Sequence, residues 1–168
     1  MRRCLAVGLA ALAAVSCSHA PKPFVIKNTK DHWTVSMPGE FKADAAKLPE
    51  GVQRFLGPKE SGEQPTIVII STVGDKTAKE AADEIVKDPG PGLSIQSSSP
   101  YDLPGASGYS IIATQNNGAT TQRQIYFVVD RTAVILTLTS PTSDYEKWNG
   151  RFEESLKSFQ WTGSAKKP

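Results

Sequence analysis

The stretch Gly108–Thr139, GYSIIATQNNGATTQRQIYFVVDRTAVILTLT, decides the fold. It holds three runs rich in β-branched, aromatic and threonine residues, Gly108–Thr114, Thr120–Val129 and Ala133–Thr139, separated by little more than Asn117-Gly118 and Asp130-Arg131. Such runs favour strands, and dipeptides of this kind favour tight turns. Links this short cannot carry the crossover that joins parallel strands, so an antiparallel meander is expected, with Leu93–Tyr101 as a further strand on its upstream side.

Upstream, Thr66–Val73 contains the continuous run Ile67-Val68-Ile69-Ile70, which reads as a strand covered on both faces. Trp33–Met37 alternates apolar and polar residues and is stopped by Pro38-Gly39, and Val52–Leu56 offers another strand. The period then changes. Ala78, Ala81, Ala82, Ile85 and Val86 share one helical face, Thr77 and Glu80 have capping-box spacing, and Asp88-Pro89-Gly90-Pro91-Gly92 ends the helix. Downstream of the meander, Tyr145, Trp148, Phe152, Leu156 and Phe159 line one face of a second helix, for which Ser143 and Glu146 offer a second capping box. Each such large side chain contributes about 1.5–3 kcal/mol when fully buried, so this stripe is expected to dock on the sheet. The reading is an α+β domain: an antiparallel sheet of about six to seven strands with two helices packed on it.

The chain has 168 residues, room for one domain of ordinary size. Its first part reads as an address. Met1-Arg2-Arg3 is basic, Leu5–Val15 is uninterrupted small or apolar sequence, and polar Ser18-His19 and Pro21 follow. That run of 11 residues reaches only about half of the roughly 30 Å hydrocarbon core as a helix, so it suits a secretory signal rather than a permanent span. The remaining chain contains no apolar stretch approaching 20 residues and is expected to be soluble once exported.

Ala13-Ala14-Val15-Ser16-Cys17 resembles the lipobox of bacterial lipoproteins, with Ala14 where leucine is commonest. The resemblance implies a signal peptide over 1–16, cleavage before Cys17, thioether lipidation of Cys17 and acylation of its new amino group. Several acyl chains on one residue anchor stably where a single chain does so marginally. The bland alternative is an ordinary signal cleaved near Ala20, with Cys17 incidental. Ser18 after the cysteine favours the outer membrane if the envelope is Gram-negative. Residues 17–23 then form a lipidated tether, 24–161 the domain and 162–168 a flexible basic tail.

Cleavage changes the charge balance. The whole chain is formally +2, but removing its first 16 residues leaves 152, with 17 basic and 17 acidic side chains. No thiol would remain free, and no intramolecular disulfide could form. A neutral exported domain with no run of basic residues is a poor candidate for nucleic acid, and no nucleic-acid partner is expected.

Catalytic and metal signatures are sparse. His32, beside Asp31 at the head of a strand, is the one histidine of the 24–161 domain, and no G-x-S-x-G elbow accompanies it. One histidine without a free cysteine does not make a zinc site, no calcium-loop pattern occurs, and Gly90-Pro91-Gly92 lacks phosphate-loop spacing. Asp83-Glu84 and Glu153-Glu154 read as solvated helix faces, with ion pairs such as Asp83 to Lys87. No catalytic residue, metal or cofactor is therefore assigned; the residue assigned is Cys17, as the lipidation site.

Trp33-Thr34-Val35-Ser36-Met37-Pro38, the element order and the ending Phe152-Glu153-x-Ser155-Leu156-x-Ser158-Phe159 together resemble the PsbP/Mog-type α/β/α fold shared by DcrB-like and LpqN-like lipoproteins. The resemblance implies an accessory, assembly or binding protein rather than an enzyme, and carries over no functional residue. The expected function is a lipid-anchored, non-enzymatic module of the cell envelope that contacts the membrane through Cys17 and partners another envelope protein. Two alternatives stay open: an envelope hydrolase using carboxylates or His32, and a carrier holding an apolar ligand between sheet and helix against Trp148 and Phe152.

Overall fold

A computed structural model describes residues 21–60, 62–103 and 105–163. The signal, the lipobox and Cys17 lie outside the described residues. In chain order the strands are β1 (Phe24–Asn28), β2 (Trp33–Met37), β3 (Lys42–Ala43), β4 (Val52–Leu56), β5 (Thr66–Val73), β6 (Ser94–Leu103), β7 (Ala106–Gln115), β8 (Thr120–Val129), β9 (Thr132–Pro141) and β10 (Gln160–Trp161); helix α1 (Ala78–Lys87) follows β5 and α2 (Tyr145–Lys157) follows β9.

The anticipated meander is present. A seven-stranded sheet runs in the order β3-β4-β5-β9-β8-β7-β6, and every pairing in it is antiparallel. Both residues of the Asp130-Arg131 turn have positive φ, 47° and 64°, the backbone that a two-residue hairpin turn requires. At the β7–β8 connection Asn116 joins Asn117 and Gly118 in the positive-φ region.

The fold is α+β, with one element beyond the expected architecture. A second sheet of three strands, β1-β2-β10, forms when Gln160-Trp161 returns to pair with Thr34-Trp33. Only two residues of β10 take part, too few to carry a pattern. This small sheet and α2 cover one face of the large sheet. Between them lies a core of Trp33, Val35, Met37, Phe41, Phe55, Ile67, Ile69, Ile125, Phe127, Val134, Leu136, Leu138, Trp148, Phe152, Leu156 and Phe159. Phe127, Phe159 and Trp33 stack in series, with ring centroids 5.1 and 6.2 Å apart.

Helix α1 covers part of the other face through Ala78 and Ala82, packed with Ile111 and Tyr126. Adjacent Tyr126 and Phe127 thus face opposite layers and are both buried, as an α/β/α sandwich demands. Strand β5 departs from the reading of two covered faces. Ile67 and Ile69 are buried, but Thr66, Val68 and Ile70 are only partly covered, because α1 packs on β6, β7 and β8 instead.

The helix starts differ. Thr77 and Glu80 form the expected reciprocal capping box at α1. The second capping box does not form. Thr142–Asp144 makes a 3-10 turn running directly into α2, and Asp144 at the N-cap makes no side-chain cap bond. On α1 the pair involving Asp83 runs back to Lys79, at 2.6 Å, rather than on to Lys87. Among the described residues no helix is long and apolar enough to cross a membrane.

Candidate functional site

At one end of the molecule, the β1–β2 turn, the start of β4 and the end of β5 enclose an open groove of about 650 Å³. Its floor is Ser71, which is 8% exposed, and Lys27, Lys30, Glu50 and Gln53 are among its lining residues. Four polar side chains are locked together beneath it. Ser71 Oγ donates to Asp31 Oδ2 at 2.6 Å, Trp33 Nε1 donates to Ser71 Oγ at 3.3 Å, and Asn28 Nδ2 donates to the same Asp31 oxygen at 2.9 Å. Asp31 N–H also donates to Asn28 Oδ1, closing the turn. Above it, Lys30 and Glu50 form an exposed ion pair at 2.6 Å. The hydrogen bond and charge of Lys30 hold the Glu50 carboxyl below its usual range, and Glu50 raises the Lys30 ammonium in return.

The groove offers charge and hydrogen bonds for binding. The Ser71 hydroxyl donates its proton to the Asp31 carboxylate, which Asn28 orients in turn. His32 is not part of this group. It is exposed at φ 57°, and it lines a separate depression with Asp130, Arg131, Thr132, Trp161, Thr162 and Gly163. Its carbonyl accepts from Thr162 N–H at 2.7 Å, and a Cβ on Gly163 would lie 3.0 Å from the His32 Cβ. His32 is thereby placed against the C-terminal segment. Among the described residues no group of three His, Cys, Asp or Glu side chains stands ready for a metal ion.

Trp148 and Phe152, the residues considered for an apolar ligand, are 2% and 0% exposed. Trp148 meets Phe41 edge to face at 5.5 Å, and Phe152 joins the same core. Side chains fill the space between α2 and the sheet, so the apolar-carrier alternative is corrected: close packing leaves no ligand chamber at these two residues.

Glu153, read from the sequence as part of a solvated helix face, is instead drawn inward by Arg123. Arg123, on β8, is 9% exposed and faces α2, where Nη1 donates to Glu153 Oε2 and to Asn149 Oδ1, both at 2.8 Å. Its Nε donates to Ser110 Oγ at 3.3 Å, its guanidinium lies 5.2 Å from the Tyr101 ring centroid, and Tyr101 Oη donates to Glu153 Oε1 at 2.8 Å. Burial first, then Glu153, pushes the Tyr101 phenol well above its ordinary range. Glu153 is therefore a paired carboxylate in only partial contact with water, and Arg123 is nearly buried. Strand alternation held a signal for this, since Arg123 shares the inward parity of Ile125 and Phe127. Ser71 and Asp31 carried no comparable signal, being 40 positions apart.

No family model matches the sequence, and no curated protein matches it by sequence. Solved structures do. The chain is similar to CyanoP, the cyanobacterial PsbP of Synechocystis, at 13% identity and a TM-score of 0.63, over 90% of this chain and 99% of that one. It is similar to LpqN of Mycobacterium tuberculosis, described as involved in cell envelope biogenesis, at 17% identity and a TM-score of 0.56, over 88% of each chain. A Pseudomonas aeruginosa protein of unknown function aligns at 15% identity and a TM-score of 0.56, over 81% of this chain and 94% of that one. At these identities the likeness is one of fold: the chain has a PsbP-like α/β/α domain.

Proposed function

We propose that the chain is a lipid-anchored accessory module of the cell envelope that binds or helps assemble another envelope protein and catalyses no reaction. The observation that carries this reading is the pairing of Ser71 with Asp31 on the floor of a groove built from turns of both sheets, with His32 turned to a different depression. The groove offers charge and hydrogen bonds, and His32 does not line it beside the Ser71–Asp31 pair. The filled interior between α2 and the large sheet directs recognition to the outer surface.

The fold likeness to an envelope-biogenesis protein and to CyanoP supports an accessory role, by analogy of fold. The lipobox-like Ala13–Cys17 supports anchoring at the membrane, with export through the segment 1–16. Partner binding is tested by in-cell crosslinking from the groove: a photo-reactive residue at Gln53 should capture a discrete envelope protein, and one at Val86 on α1 should not. Equal capture at both positions removes the groove from the account. A screen against ester, glycan and peptide substrates should show no turnover that His32→Ala abolishes.

A further inference from the structure

Charge is divided unequally along this chain. Positions 21–59 carry seven Lys or Arg and four Asp or Glu, whereas positions 60–163 carry eight and thirteen. The acids of the first part are already engaged: Asp31 accepts from Asn28 and Ser71, Glu40 pairs with Arg151, Asp44 with Arg54 and Glu50 with Lys30. Lys22, Lys42 and Lys59 are exposed and, among the described residues, have no acidic partner. The fold gathers them. Lys42 and Lys59 line a shallow depression together with Pro21 and with Glu40 and Asp44, whose charges are met by Arg151 and Arg54, and Lys22 is next in the chain. The backbone of Pro21 and Lys22 lies so close over Gly39 that a Cβ there would collide with both carbonyl oxygens, which fixes the entering chain against the domain.

We propose that this lysine-bearing face rests on the anionic lipid headgroups of the leaflet that holds the anchor. The proposal rests on the reading of Cys17 as the lipidated residue. From Cys17 to Pro21 the chain reaches at most about 14 Å when fully extended. The three lysines are thereby held at a distance comparable to the Debye length of roughly 8–10 Å, within which an anionic leaflet attracts juxtamembrane lysines. The acidic surplus of the remaining chain, including Asp83 and Glu84 on α1, is repelled by the same leaflet and turned outward. The groove at Ser71 lies at the other end of β4 from this depression and is then left clear of the headgroups.

The test uses the full chain, exported with its own leader, purified from membranes and returned to vesicles. With Cys17 lipidated no other thiol remains, so a fluorophore can be placed at exposed Ala43, within the lysine-bearing depression, through Ala43→Cys, or on α1 through Val86→Cys. Headgroup-attached nitroxide in vesicles of phosphatidylglycerol and phosphatidylcholine should quench the Ala43 label at least about twofold more than the Val86 label. The difference should shrink in pure phosphatidylcholine, in high salt, and when Lys22, Lys42 and Lys59 are all changed to Gln, while flotation persists. Flotation with equal quenching at the two positions overturns the placement alone. Failure to float with phosphatidylcholine vesicles overturns the anchor and the placement with it.

Discussion

Arg123 of β8 and Glu153 of α2 form an ion pair at 2.8 Å beneath the helix, with 10% and 30% of their side chains exposed. The pair ties α2 to the sheet at the polar margin of an otherwise apolar interface, and Tyr101, Asn149 and Ser110 add hydrogen bonds to it. A buried pair of this kind is costly to break on one side because the surviving charge is left without a partner. Glu153→Ala is expected to destabilise the fold by about 3 kcal/mol, the low end for such pairs because Glu153 keeps contact with water. The double change Arg123→Met with Glu153→Leu should recover most of that loss. Urea unfolding midpoints of the three proteins check both statements.

Phe152 is 0% exposed and sits in the core between α2 and the sheets, whereas Val86 on α1 is 42% exposed. Phe152→Ala should cost about 3–5 kcal/mol through lost burial and the cavity left behind. Val86→Ala should stay within about 0.5 kcal/mol of the parent. Thermal and chemical denaturation distinguish the two, and near-equal losses would contradict the packing described.

At the start of α1, Thr77 accepts from Glu80 N–H while the Glu80 carboxylate accepts from Thr77 N–H. Thr77→Ala should therefore lower stability by about 1 kcal/mol, and Thr77→Ser should not. Amide exchange confined to the first turn of α1 reports the change locally.

Stability should fall on the alkaline side. Burial pushes the Tyr126 phenol from 10.0 up to about 12, and burial raises Tyr101 and Tyr145 as well. Between these values the unfolded chain has released phenolic protons that the folded chain retains, so the unfolding free energy decreases as pH rises through that window. Below pH 10 the contribution is fully present. Tyr126→Phe should flatten the slope, read from denaturation midpoints taken across the window beside the ultraviolet titration of tyrosinate.

The elements legible in the sequence were those set by local pattern. The β7–β9 meander follows from strand composition and two turns, and α1 from a capping box with an apolar face. The aromatic stripe of α2 announced its docking surface. What was not legible depends on pairings across the chain: the small sheet needs Trp161 against Trp33, and Ser158 Oγ accepts Ser36 N–H at 2.8 Å across 122 positions. The same holds for the groove, where the partner of Asp31 is supplied by β5 and only the folded topology brings them together. Ser143 had capping-box spacing, but the 3-10 turn leading into α2 took its place in the helix start.

The central claim is tested most directly by the intact mass of the protein recovered from membranes of cells expressing the full chain. The expected product begins at Cys17 and carries a diacylglyceryl thioether with a further acyl group, and the Cys17→Ser form leaves the membrane fraction. An unmodified chain beginning after Ala20, equally abundant in the soluble fraction with or without Cys17, would contradict it.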